Sequence, residues 1–91
     1  MNVGTRIQVT VLYFASLRET LGCAREELEL PPRVTTAGEL RSWLRDRGAE
    51  WHAALADSRA IRIAVDRRMA GPETPLAPGA EIAFFPPVTG G

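Results

Sequence analysis

The sequence predicts an α+β fold, in which a mixed sheet of four to five strands carries one main helix on one face. Two observations support this prediction. Several short segments alternate apolar and polar residues, as half-buried strands do, and one segment combines helical spacing with a start signal and a stop signal. At 91 residues the chain has room for one small domain and no second one.

The first strand is predicted over residues 6–14, RIQVTVLYF. Ile7, Val9 and Val11 share one face of this strand, while the other face begins polar and becomes apolar at Leu12 and Phe14. The second face is therefore expected to be exposed to solvent at its polar end and covered by other residues at its apolar end.

Two helices have recognisable ends. ASLRETLG predicts a short helix with Ser16 as the candidate N-cap and Gly22 as the closing residue. The main helix is predicted to begin at a T-x-x-E capping box, formed by Thr36 and Glu39, and to end at Gly48. One or two further helical turns are expected after it.

The remaining segments complete the predicted sheet. EELEL alternates acidic residues with leucines and stops at Pro31 and Pro32, which favours a strand near an edge. Further strands are predicted over residues 61–65 and 81–85, with a short extended piece around Met69. The resulting order of strands and helices is the β-grasp arrangement.

One helix can cover only one side of such a sheet, so the other side faces solvent or a partner. If the first strand turns its β-branched residues to the helix, Leu12 and Phe14 point outward. Phe85 is expected to join them, because Phe84 shares the face that continues the core. With Met69, these residues predict an exposed apolar patch that serves as an association surface.

Composition excludes several classes of function. Eleven arginines balance eleven acidic residues, so neither nucleic acid nor a membrane surface is an expected partner. Cys23 and His52 are single residues of their kinds, which predicts no internal disulfide and no metal site. The N-terminus lacks the features of a secretion signal, which predicts a cytoplasmic protein. No nucleotide-binding, hydrolase or metalloprotease motif is present.

The chain ends on FFPPVTGG, which predicts a domain over residues 1–87 and a flexible tail over residues 88–91. The chemistry left to such a chain is that of the Gly91 carboxylate. A carboxylate is ionised at pH 7 and resists nucleophilic attack, so it needs activation, most simply by ATP. Glycine at the last two positions lets the tail enter a narrow channel. The last four residues can span roughly 13–14 Å.

VLYFASLRETLG, the capping-box helix and LAPGAEIAFFPPVTGG together resemble the small, sulfur-carrier subunit of molybdopterin synthase, in the β-grasp, ubiquitin-like sulfur-carrier family. The resemblance implies that the terminal glycine is adenylated by an E1-like activating enzyme with ATP and converted to a thiocarboxylate by a sulfur donor protein. It further implies a heterotetramer with the large subunit, inside which the sulfur converts cyclic pyranopterin monophosphate to molybdopterin. No cofactor is expected to stay bound, and this chain alone is expected to be inactive.

The resemblance also assigns roles to individual residues. The resemblance implies that Gly91 is the sulfur-bearing residue. It also implies that Gly90, which has no side chain, lets Gly91 enter the partner. The implied partner-binding residues are Phe14, Arg18, Met69, Phe85, Pro86, Pro87, Val88 and Thr89. The departures from the family pattern are a short N-terminal extension, a VDRRMA turn with two arginines, and a lack of lysine.

Three other functions remain open. A sulfur carrier for thiazole synthesis shares the fold, the diglycine tail and the activation chemistry. A ubiquitin-like modifier would join Gly91 to a lysine of a target protein. A plain β-grasp binding module would have an inert tail, and loss of Gly91 would leave its binding unchanged.

Overall fold

The structure is a computed structural model that describes residues 6–86. Its sheet has five strands in the order β2-β1-β5-β3-β4. The central pair β1 and β5 is parallel, and each of the other neighbours is antiparallel. The strands are β1 Ile7–Tyr13, β2 Arg25–Leu30, β3 Arg62–Val65, β4 Arg68–Ala70 and β5 Glu81–Phe85. The predicted mixed sheet is confirmed, and of the expected four to five strands it has five.

Three helices lie between the strands: α1 Ala15–Leu21, α2 Ala37–Arg45 and α3 Ala49–Ala54. The predicted capping box of α2 is present, because the Thr36 hydroxyl accepts from the Glu39 N–H and the Glu39 carboxylate accepts from the Thr36 N–H. The left-handed backbone of Gly22, with φ of 67°, ends α1 as expected. Within residues 6–86, no helix combines the length and the hydropathy needed to cross a membrane.

Two predicted helix ends were wrong. Ser16 lies inside α1, whose N-cap is Phe14 and has no side-chain hydrogen bond. Gly48 does not end α2; it is the N-cap of α3. The reason is a tightened last turn of α2, in which the Asp46 and Arg47 N–H groups donate to carbonyls three residues back. This turn stops the helix at Arg45 and frees Gly48, with φ of 153°, to redirect the chain.

All three helices share one hydrophobic core with one face of the sheet. Leu17 of α1, Leu40 and Leu44 of α2, and Leu55 after α3 are buried in the same cluster as the β1 and β5 side chains. The largest fully buried side chains are Tyr13, Phe84, Leu30, Leu40, Leu44, Leu55, Ile82, Val9 and Val11. Because every helix within residues 6–86 contributes to this one core, no helix of that range lies on the opposite face of the sheet.

The loop before β5 packs tightly on the N-terminus of α2. The Ala37 N–H donates to the Thr74 carbonyl at 2.9 Å, and the Gly38 N–H donates to the Pro72 carbonyl at 2.8 Å. The loop thus satisfies two N–H groups that a helix N-terminus leaves without helical partners. At Gly38 the two backbones come so close that an added Cβ would lie 2.9 Å from both the Cβ and the carbonyl oxygen of Pro72.

Gly38→Ala is therefore expected to destabilise the protein, although alanine favours a helix over glycine by about 1 kcal/mol. The added methyl group must push the backbone of Pro72 away, and overpacking of this kind costs about 1–3 kcal/mol. Urea unfolding measures the change in the free energy of unfolding. Ser42→Ala, at an exposed position of the same helix, is the control and should be nearly neutral. A more stable Gly38→Ala variant would contradict the close approach.

Candidate functional site

The sheet face opposite the helices, here called the open face, carries a continuous apolar row. In the strand register Leu12 lies beside Ala83, Ala83 beside Ala64, and Ala64 beside Met69, with Arg25 next to Leu12 on the other side. Ala64 and Ala83 are each only 8% exposed, yet neither belongs to the core cluster under the helices. They form the floor of a depression of about 450 Å³ on the open face.

Two stacked phenylalanines border this depression. The rings of Phe14 and Phe85 lie 4.8 Å apart between centroids, with 8° between their planes. Phe14 follows the last residue of β1, and its N–H donates to the Phe84 carbonyl at 3.2 Å. The next residue, Ala15, has a left-handed backbone with φ of 54°, which turns the chain sharply into α1. Phe14 is thus left 40% exposed on the open face.

These side chains form one surface, here called the apolar patch. Its members are Leu12, Phe14, Ala64, Met69, Ala83 and Phe85. Met69 is 64% exposed, the most open large apolar side chain in the part of the chain that the structure describes. An exposed patch of aromatic and methionine side chains over a floor of alanines has the composition of an interface centre.

The predicted orientation of Phe84 and Phe85 is confirmed. Phe84 is fully buried in the core, whereas Phe85 points to the other side and stacks on Phe14. Leu12 and Met69 also line the depression, as the alternation of β1 and the short extended piece at Met69 predicted.

The other predicted partner residues lie apart from this patch or outside the described range. Arg18 is exposed on α1 and does not line the depression. Pro86 borders a separate cleft beside Ser16, Leu17 and Thr20 of α1. The predictions for the last five residues, and with them the predicted domain boundary at residue 87, lie outside the described residues. These residues are Pro87, Val88, Thr89, Gly90 and Gly91.

Four residues around the depression were not predicted from the sequence: Ala64, Ala83, Arg67 and Glu81. The alternation of the two strands does place both alanines on the open face, but alanine carries no signal that distinguishes a floor from a solvated surface. Arg67 and Glu81 border the depression because the turn before β4 packs against the start of β5.

The most strongly perturbed titratable group lies elsewhere, between β1 and β2. Burial, followed by a 2.7 Å hydrogen bond to Glu26, raises the pKa of the Tyr13 hydroxyl far above its ordinary value. Burial would raise the pKa of Glu26 as well, but hydrogen bonds from Arg47 and Tyr13 outweigh it and lower that pKa. Arg47 binds both oxygens of Glu26, at 2.8 and 3.1 Å, and lies 4.2 Å from the ring centroid of Trp51.

Tyr13 and Arg47 both donate hydrogen bonds to Glu26, so the network ties β2 to the segment between α2 and α3. It leaves no free base or nucleophile that could act on a substrate. Its perturbed pKa values therefore reflect packing, and the apolar patch is the better candidate for the functional surface.

Comparison with known proteins identifies the family. Residues 11–91 match the model of the ThiS family. The molybdopterin synthase sulfur carrier subunit of Haemophilus influenzae is 36% identical over 83 residues, a match that covers 91% of this chain and 99% of that protein.

Two solved structures extend the comparison. Small archaeal modifier protein 1 from Methanosarcina acetivorans has a TM-score of 0.68 at 26% identity, with 97% of this chain and 100% of that chain covered. A complex of subunits 1 and 2 of molybdopterin-converting factor from Helicobacter pylori contains a chain with a TM-score of 0.59 at 25% identity, covering 93% of this chain and all of that one. The family match and the relative confirm the resemblance drawn from the sequence, and this chain belongs to the ThiS family.

Proposed function

We propose that this chain is the sulfur carrier subunit of a molybdopterin synthase. The observation that carries the proposal is the match to the Haemophilus influenzae subunit, which extends over 91% of this chain and nearly all of that protein. The family match also continues through Gly90 and Gly91 to the last residue.

The chemistry proposed for the tail takes place at Gly91. A carboxylate oxygen attacks the α-phosphorus of ATP in the activating enzyme, and pyrophosphate leaves. Hydrosulfide released by a donor protein then attacks the acyl carbon, displaces AMP and loses its proton, so that the carboxylate becomes a thiocarboxylate. ATP is consumed in the activating enzyme and is not a resident cofactor of this chain.

The apolar patch is the proposed docking surface for the large subunit. The Helicobacter pylori complex supports a large subunit as the partner, because there a chain of the same fold is in complex with a second subunit. The composition of the patch supports it as the surface that this partner contacts. Phe85 belongs to the patch and is six residues from the chain end, a distance of about 20 Å when that segment is fully extended. A partner bound to the patch therefore lies within reach of Gly91. The proposed assembly of this chain with the large subunit is a heterotetramer.

The reacting groups for sulfur insertion are proposed to come from the large subunit. Within residues 6–86 Tyr13, whose pKa shift is the largest, and Glu26 are held in a packing network. The contribution of this chain is then the sulfur and its delivery, and the chain acts in the cytoplasm with its activating enzyme.

A reconstitution experiment tests the pathway. The chain, loaded with sulfur, is mixed with the large subunit and cyclic pyranopterin monophosphate, and molybdopterin formation is followed. The proposal predicts a stable complex on size exclusion and one sulfur consumed per loaded chain. A parallel mixture with a thiazole synthase is the control. Binding and sulfur transfer to the thiazole synthase alone would contradict the proposal and assign the chain to thiazole synthesis.

The likeness to small archaeal modifier protein 1 favours a second candidate function, attachment of Gly91 to lysines of other proteins. The chain itself has no lysine, so it cannot form lysine-linked chains, but single attachment is compatible with its sequence. Mass spectrometry of cell proteins distinguishes the two roles, because a modifier leaves isopeptide-linked peptides ending in Gly90 and Gly91, and a pure carrier leaves none.

A further inference from the structure

The hairpin between β3 and β4 has an unusual residue in its turn. Val65 pairs with Arg68, so the connection has two residues, Asp66 and Arg67. Both have left-handed backbones, with φ of 51° and 69°. Two-residue hairpins of this kind favour Asn-Gly or Asp-Gly, because glycine adopts a positive φ without strain. Arg67 therefore occupies a position where glycine would stabilise the fold.

The turn is held firmly in spite of this strain. The Asp66 N–H donates to the Glu81 carbonyl at 2.8 Å, and the Asp66 carboxylate accepts from the Glu81 N–H at 2.9 Å. Both bonds tie the turn to the start of β5, so the direction of the Arg67 backbone is fixed. The Arg67 side chain is nevertheless 91% exposed, and its Nε lies 3.9 Å from the Glu81 carboxylate, at the outer limit of an ion pair. The guanidinium thus adds little to the fold.

A second arginine lies at the other end of β3. Arg62 pairs with Phe85 in the register, on the strand face that Ala64 also occupies, and it is exposed. It lines a neighbouring depression, which Met69 shares with Arg41 and Arg45 of α2. Arg67 borders the depression of the apolar patch from the opposite end of the same strand. One arginine therefore lies at each end of β3, with Ala64 between them in the strand.

Most acidic residues of the open face lie at strand positions other than those of the apolar patch. Glu27 and Glu29 of β2 pair with Thr10 and Gln8, two and four residues before Leu12 in β1. Glu81 also pairs with Thr10, and it borders the depression beside Arg67. Arg67 therefore lies between the acidic end of the open face and its apolar end. Apolar centres with arginine at their margins are typical of protein interfaces.

We propose that Arg62 and Arg67 form the charged rim of the docking surface, and that the partner presents carboxylates opposite them around an apolar centre. This inference rests on the proposed function, which names the partner as the large subunit. Strained residues that the surrounding structure holds in place often have a functional role. Here the role is to display a positive charge that attracts the partner and fixes its orientation.

Stopped-flow association with the large subunit, over a series of salt concentrations, tests the rim. Rim charges act mainly on the association rate. Arg62→Gln and Arg67→Gln are each expected to lower that rate about three- to tenfold at low salt and to flatten its salt dependence, while the dissociation rate changes less than about twofold. Arg33→Gln, at an exposed position beside α2, removes the same charge away from this face and should leave the rates unchanged.

Arg67→Gly separates charge from conformation. Glycine relieves the strain at the left-handed position, so this variant is expected to have a higher Tm than the natural chain. It also removes the guanidinium, so its association rate should fall as far as that of Arg67→Gln.

Three results would overturn the inference. The first is that Arg62→Gln and Arg67→Gln associate as fast as the natural chain. The second is that Arg33→Gln loses as much association rate as they do, which would show an effect of net charge alone. If the natural chain does not bind the large subunit at all, the proposed function fails and the rim fails with it. If the natural chain binds the large subunit and the rim variants associate as fast as it does, only the inference about the rim fails and the proposed function stands.

Discussion

Phe84→Ala is expected to remove most of the stability of the protein, whereas Phe85→Ala leaves it folded and weakens binding to the large subunit. Phe84 is fully buried and stacks on Tyr13 at 6.1 Å between ring centroids. Truncating a buried phenylalanine costs about 3–5 kcal/mol. A domain of this size has a stability near the lower end of about 5–15 kcal/mol, so little of it would remain.

The effect of Phe85→Ala is expected to appear in binding. Phe85 is half-buried, and its stack on Phe14 is worth about 0.5–1.5 kcal/mol, so the folded state survives its loss. An aromatic side chain at the centre of an interface contributes about 2–4 kcal/mol to binding, which corresponds to an affinity lower by about 30- to 1,000-fold.

Urea unfolding and calorimetric titration with the large subunit measure the two effects separately. Trp43→Ala is the control, because Trp43 is a half-buried aromatic residue on α2, against the core and away from the open face. It should lower stability and leave affinity nearly unchanged. Equal affinity of Phe85→Ala and the natural chain would contradict the assignment of the apolar patch as the docking surface.

Loss of Gly91 is expected to abolish sulfur loading without loss of docking. The patch lies within residues 6–86 and does not depend on the last residue, so the shortened chain should still bind the large subunit within a few-fold of the full chain. Its new terminal carboxylate, on Gly90, would stand one residue short of the activating site. Displacements of about 1 Å from a productive geometry can cost about 10²-fold in rate, and one residue spans about 3.5 Å.

Gly90→Val provides the matched variant with an intact chain length. Its branched side chain widens the tail next to the reacting residue, so loading is expected to slow by about 10²-fold or more, while affinity through the patch is retained. The rate of pyrophosphate release with the activating enzyme and ATP measures this step. Loading of Gly90→Val at the natural rate would show that the tail does not pass through a narrow channel.

The sequence predicted those features that a regular repeat or a local motif controls. Strand alternation separated Phe84 from Phe85, because consecutive residues of a strand point to opposite faces. The capping box located the start of α2, because both of its hydrogen bonds join residues three apart.

Features that depend on long-range packing could not be predicted in this way. The contact of Gly38 with Pro72 joins segments more than thirty residues apart. The burial of Ala64 and Ala83 follows from the side chains that flank them on neighbouring strands. The strain at Arg67 became visible only when both turn residues were seen to have a positive φ.

The intact mass of the chain, after incubation with an activating enzyme of its family, ATP and a sulfur source, tests the central claim most directly. A carrier gains the mass difference of one sulfur for one oxygen, and a copy without Gly91 gains nothing. An unchanged mass of the full chain, under conditions in which the same enzyme loads a known carrier, would contradict the sulfur-carrier function.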